Sequence, residues 1–172
     1  MPSQNVLPLD RSAENRFTRL GPDDLNEGEF DSLLDLALKV LARRHRRGEP
    51  LTSPEASRAY LRLKIAEHKY EVFGCVFADN RHRIIAFEEL FRGTIDGASV
   101  HPRVVVQRAL ELNAAAVVLV HNHPSGVAEP SQADLRITQR LQAALELVDI
   151  RVLDHLIVTA EDSLSFAEKG LL

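Results

Sequence analysis

Two histidines and one aspartate are the residues of this chain best spaced for chemistry. They stand in the run Val118-Leu-Val-His-Asn-His-Pro-Ser-Gly-Val-Ala-Glu-Pro-Ser-Gln-Ala-Asp134. In extended backbone the side-chain period is two, so His121 and His123 project to one side of a strand end while Asn122 turns away. Pro124 and Gly126 end the strand, Pro130 stiffens the approach, and Ser131 opens a helix that brings Asp134 back to the imidazoles. Two nitrogens and a carboxylate with a fourth position open to water form the pattern of catalytic zinc. The expectation is one Zn2+ per chain, held by His121, His123 and Asp134, that activates a water for hydrolysis.

Two other readings compete with this one. Ser131-Gln-Ala-Asp134 also fits the serine-x-x-acid pattern that satisfies free amides at a helix start. Aspartate is a poorer reciprocal cap than glutamate, and two histidines at a buried strand end are hard to satisfy without a ligand, which favours the metal. Two histidines and a carboxylate are also the ligand set of non-haem iron oxygenases. Asn122 is read as a solvated strand-end residue outside the catalytic set.

The elements that must position these residues can be followed along the chain. Residues 1–28 carry Pro2, Pro8, Gly21, Pro22 and Gly28 without a sustained period, and are expected to form a flexible tail. Apolar residues at helical spacing predict a helix from Phe30 to Arg47, stopped by Gly48 and Pro50. Thr52 or Ser53 can cap a second helix that runs to about Glu67. Val72 to Ala78 and Arg83 to Leu90 read as a hairpin joined by Asp79-Asn80-Arg81-His82. Pro102 opens a helix to about Asn113, and a buried strand ends at Val120. A loop from His121 to Pro130, a helix from Ser131 to about Leu147, and two short strands, Ile150 to Leu153 and Leu156 to Thr159, follow. A final turn lies near Phe166 to Gly170. Helices and strands intermixed in this order predict an α/β sheet covered on both faces, with ligands at the carboxyl ends of strands.

Composition narrows the function classes. A chain of 172 residues with a formal charge of -4 can bury a core and lacks the basic surface that holds nucleic acid by broad electrostatics. Arg43-Arg-His-Arg-Arg47 is the only basic cluster, and it sits where cations complement a helix C-terminus. Cys75 is the single cysteine, so no internal disulfide and no thiolate zinc cluster can form. The longest apolar run, Ala114 to Val120, is too short to span a bilayer, and the first residues lack the apolar stretch of a secretory signal. A cytoplasmic protein without membrane association is expected.

The metal-binding run resembles the JAMM motif of the JAMM/MPN metalloprotease superfamily: histidine, any residue, histidine, ten residues, aspartate. Glu88-Glu-Leu-Phe-Arg-Gly-Thr94, Val100-His-Pro-Arg103, His121-Asn-His-Pro-Ser-Gly126, Glu129-Pro-Ser-Gln-Ala-Asp134 and Arg151-Val-Leu-Asp-His155 are similar to the RadC-type branch. The resemblance covers roughly Leu33 to Leu172. It implies a mixed β-sheet flanked by helices in the cytidine-deaminase-like JAB/MPN architecture, and zinc-dependent hydrolysis of a peptide or isopeptide bond in a peptide or protein substrate. It divides the chain into a tail over 1–28, a helical remnant over 29–50 and the metal-binding domain over 51–172.

Residue roles follow from the same resemblance. Glu71 stands where JAMM proteases carry their catalytic glutamate, with Glu88 and Glu89 as the other candidates for the base. Ser131 matches the serine whose hydroxyl faces the developing oxyanion. RadC-type proteins carry a longer helical region before this domain and a DNA-repair label, so the alternative is a non-catalytic metal-containing module that serves DNA metabolism or protein binding. His101 and His155 could orient a ligand, although structural hydrogen bonding is the simpler role for each. Oligomeric state is not legible.

Overall fold

The computed structural model describes residues 20–44, 54–93 and 99–172. The chain divides into two compact units, Met1–Leu36 and Ala37–Leu172. In the first, a 3-10 turn over Pro22–Asp24 precedes α1, Glu27–Arg44, which continues past the boundary of the unit. The helix begins earlier than its apolar period predicts. Its start is set by Asn26, whose side chain accepts from the Glu29 amide at 3.1 Å while Glu29 accepts from the Asn26 amide at 3.0 Å. The expected helix end at His45 to Arg47, the Thr52 or Ser53 cap and most of the expected tail lie outside the described residues. So do the side chains of the basic cluster.

The second unit holds α2 (Pro54–Ile65), β1 (Val72–Ala78), β2 (Ile84–Arg92), α3 (Pro102–Glu111), β3 (Ala116–Asn122), α4 (Gln132–Glu146), β4 (Arg151–Val158), β5 (Ser163–Ser165) and α5 (Phe166–Lys169). Five strands form one mixed sheet in the order β2-β1-β3-β4-β5. β1 is antiparallel to β2 and β3, β3 is parallel to β4, and β5 returns antiparallel on β4. A parallel neighbour cannot be reached by a tight turn, and α4 is the crossover between β3 and β4. The fold is therefore α/β, a mixed sheet flanked by helices.

Alternation along the strands sorts the two faces. Phe73, Cys75 and Phe77 of β1 and Val117 and Leu119 of β3 pack with Val105 and Ala109 of α3 and Leu141 and Leu145 of α4. Val72, Val76, Val118 and Val120 pack with Leu61 and Ile65 of α2. Side chains two apart share a face, so His121 belongs to the α3 and α4 side and Asn122 to the α2 side. Full burial pushes the Cys75 thiol well above its ordinary range, with a smaller push from Glu88, so it behaves as an apolar core residue.

Two expectations about strands are corrected. β3 continues through His121 to Asn122, so the first histidine is a strand residue and the loop begins after it. The polar pair Asp154-His155 does not separate two strands, because β4 is continuous from Arg151 to Val158. Asp154 is satisfied there by the Ser165 hydroxyl at 2.6 Å and the Ala167 amide at 3.0 Å. Among the described residues no helix is long and apolar enough to cross a membrane.

Candidate metal centre

β3 delivers His121 fully buried, and its partner strand β4 fixes the next residues although the strand has ended. The His123 amide donates to the Val158 carbonyl at 3.0 Å, and the Gly126 amide closes a turn on the His123 carbonyl at 3.1 Å. Gly126 has φ of 82°, a conformation that glycine adopts without steric cost. This turn lets the Val127 carbonyl reach back to His123 Nδ1 at 2.7 Å. A carbonyl only accepts, so Nδ1 carries a proton, and in the neutral ring Nε2 presents its lone pair.

α4 supplies the carboxylate through its cap. Ser131 Oγ accepts from the Asp134 amide at 3.2 Å, and Asp134 Oδ2 accepts from the Ser131 amide at 2.7 Å and from the Ser131 hydroxyl at 2.6 Å. The capping reading and the ligand reading thus describe the same residues. The cap occupies Oδ2 and leaves Oδ1 facing His121 Nε2 at 3.2 Å.

The donor set fits a divalent ion. His121 Nε2 and His123 Nε2 stand 2.9 Å apart, and Asp134 Oδ1 is 3.2 Å from His121 Nε2. Ligands about 2.0 to 2.1 Å from a tetrahedral zinc stand roughly 3.3 Å from one another, a little more than these separations. One ligand atom from each of the three residues lies within 4.8 Å of the others. Two imidazole lone pairs and a carboxylate this close repel unless a cation lies among them.

In the protein alone the same groups pair through protons. Burial by itself raises the Asp134 carboxyl, but bonds from His121, His123 and Ser131 outweigh it and hold the group well below the usual carboxylate range. The bond to Asp134 raises His123 above its ordinary value against the opposing effect of burial. Behind the ligands, His155 is fully buried, and burial followed by the charge of His121 drives it well below the ordinary histidine range. Its Nε2 is 2.9 Å from His121 Nδ1 and its Nδ1 is 2.6 Å from Thr138 Oγ1.

A cleft of about 670 Å3 opens over the site, with Glu71, His101, His123, Ser131, Asp134 and Arg140 among the residues of its wall. Glu71 immediately precedes β1, is half-buried, and lies near enough to His123 to contribute to its raised affinity for protons. The other two carboxylates are engaged elsewhere. Both oxygens of Glu88 accept from Arg108, at 2.6 and 2.7 Å, and Glu89 stands 3.5 Å from His68. Ser131 lines the cleft with its proton committed to Asp134. His101 lines it too, with its ring centroid 6.1 Å from that of Phe91.

Asn122 departs most from expectation. It is fully buried rather than solvated, and its Oδ1 accepts from the Val72 amide at 2.7 Å. Its Nδ2 donates to the Tyr70 carbonyl at 3.1 Å and the His68 carbonyl at 3.2 Å. One amide side chain therefore brackets Glu71 on both sides and ties it to the strand that carries His121. Asn122→Ala leaves three backbone groups without these partners, and an unmade buried bond costs about 1 to 3 kcal/mol. Loss of some 2 to 4 kcal/mol in urea unfolding is expected; an unchanged midpoint would show the bracket to be dispensable.

The RadC-like JAB domain pattern matches residues 51–171. The chain is 64% identical over 144 residues to a UPF0758 protein of Nitrosococcus oceani, covering 84% of this chain and 64% of the relative. It is 58% identical over 144 residues to one of Thioalkalivibrio sulfidiphilus, with the same coverage of 84% and 64%. With one of Azotobacter vinelandii the identity is 52% over 167 residues, 97% of this chain and 74% of the relative. The chain thus spans just under two thirds of the length of the first two relatives. A match over residues 51–171, together with relatives this similar, shows that the chain belongs to the RadC-like JAB domain family.

Proposed function

We propose that this protein is a zinc-dependent hydrolase of peptide or isopeptide bonds, with the metal held by His121, His123 and Asp134. The observation that carries the reading is the convergence of two imidazole nitrogens and one carboxylate on the wall of an open cleft that a further carboxylate, Glu71, also lines. When bound, zinc supplies the charge that lets a water ionise at neutral pH and that polarises a carbonyl oxygen. Glu71 accepts the proton of that water and hands it to the departing amine. Its half-buried position and its backbone, bracketed by Asn122, keep the carboxylate on the cleft wall.

Ser131 turns its hydroxyl from Asp134 Oδ2 to the carbonyl oxygen as that oxygen gains charge, a donor that strengthens with the transition state. Asp134 keeps the bond from the Ser131 amide during this change, so the helix start holds while the hydroxyl swings. Glu88 takes no part, since Arg108 occupies both of its oxygens and the pair holds its carboxyl below the usual range.

The test joins element analysis to turnover. The protein purified without added metal is expected to contain one zinc per chain and to cleave peptide- or isopeptide-linked substrates. A chelator should abolish cleavage and zinc should restore it. Bound iron with oxygen consumption, or cleavage that survives complete metal removal, overturns the reading.

A further inference from the structure

We propose that Thr138 and His155 act as positioning residues that fix the tautomer of His121, so that Nε2 is the nitrogen it offers to a cation. The inference rests on the metal-site reading above and concerns how the site is prepared.

The argument is a proton count along a chain of short contacts. Thr138 Oγ1 lies 2.6 Å from the Asp134 carbonyl and 2.6 Å from His155 Nδ1. Contacts of 2.6 Å made by a hydroxyl oxygen require a proton in each, and a carbonyl has none to give. The single hydroxyl proton of Thr138 therefore goes to the Asp134 carbonyl. The proton between Thr138 and His155 must then come from His155 Nδ1. His155 is fully buried, its ring 5.6 Å from that of Phe73 and 4.7 Å from that of Phe166, with Thr138 and His121 as its ring's hydrogen-bonding partners.

A ring in that apolar sandwich carries one proton, because burial of a charge without a counter-charge is costly. Its Nε2 is then bare, and the 2.9 Å contact to His121 is made by a proton on His121 Nδ1. His121 is left with Nε2 facing His123 and Asp134. The chain begins on the main chain of one proposed ligand, Asp134, and ends on the ring of another, His121. It therefore fixes both the orientation of the imidazole and the nitrogen that points into the site, as partners behind metal-binding histidines commonly do.

Nitrogen-15 NMR of the metal-free chain, recorded with its imidazoles neutral, reads the tautomer directly. His155 is expected to be protonated at Nδ1 and bare at Nε2; the opposite pattern overturns the proposal. Thr138→Val removes the acceptor for Nδ1, so the His155 proton moves to Nε2 and His121 must in turn accept at Nδ1. Affinity for zinc, measured by competition with a chromophoric chelator, then falls about 10- to 100-fold. Thr138→Ser restores both the tautomer and the affinity. A Thr138→Val chain with parental tautomer and parental affinity overturns the proposal as well. If the unaltered chain takes up no zinc at all, the metal reading fails on its own, and the NMR pattern still decides the relay.

Discussion

Glu71→Gln is expected to leave zinc content and melting temperature at parental values while peptide-bond turnover falls about 10²- to 10⁴-fold, the usual worth of a positioned acid or base. The amide keeps the shape of the carboxylate and cannot take a proton from water. The Glu71 side chain makes none of the bonds that hold its own segment, because those run from the Gly93 amide to the Glu71 carbonyl and through Asn122 to residues on either side. Metal binding is therefore separable from catalysis at this position. Glu88→Gln, by contrast, should lower stability slightly through its half-exposed pair with Arg108 and leave turnover alone. Equal turnover in the parental and Glu71→Gln proteins would move the base elsewhere.

His123→Ala should show the second large effect, loss of stoichiometric zinc from a chain that still folds. Apparent zinc binding free energies of roughly 10 to 16 kcal/mol, divided among three protein ligands, make each worth several kcal/mol, on the order of 10²- to 10⁴-fold in affinity. His123 is the proposed ligand to choose because it is only half-buried and its backbone is held by Val158 independently of the ring. The same change at His121 confounds two effects. Its ring stacks on Phe73 at 6.1 Å and bonds to His155, so removing it also opens the core. Zinc measured after exhaustive dialysis, with circular dichroism on the same sample, separates the outcomes; full retention of metal would remove His123 from the site.

How much of this was readable in advance depended on whether the cause was local. The period of two puts His121 and His123 on one side of a strand end, and the serine-x-x-aspartate signal places Asp134 in the first turn of the next helix. Both are properties of neighbouring residues, and the three side chains do converge. The core strands β1 and β3 were legible for the same reason, as near-continuous apolar runs. Asn122 was not, because its partners lie 50 or more positions earlier and a buried amide looks like a solvated one until those partners are known. The continuity of β4 was hidden similarly. Asp154 and His155 interrupt an apolar pattern, and Ser165, Ala167, Thr138 and His121, all brought in by the fold, make them tolerable inside a sheet. Local pattern reports which face a residue takes, and tertiary partners decide whether a polar residue can stay there.

The outermost strands bear on how the molecule meets its neighbours. Among the described residues β2 and β5 flank the sheet. β2 carries Glu88, Glu89 and Arg92, and its pairing with β1 slips between Phe73 and Gly74 and again between Phe77 and Ala78, while β5 is only three residues long. Charge, irregularity and brevity are the features by which natural sheets resist runaway stacking into fibrils. A sheet that leaves its functional cleft open can thus do so without inviting aggregation along its margins.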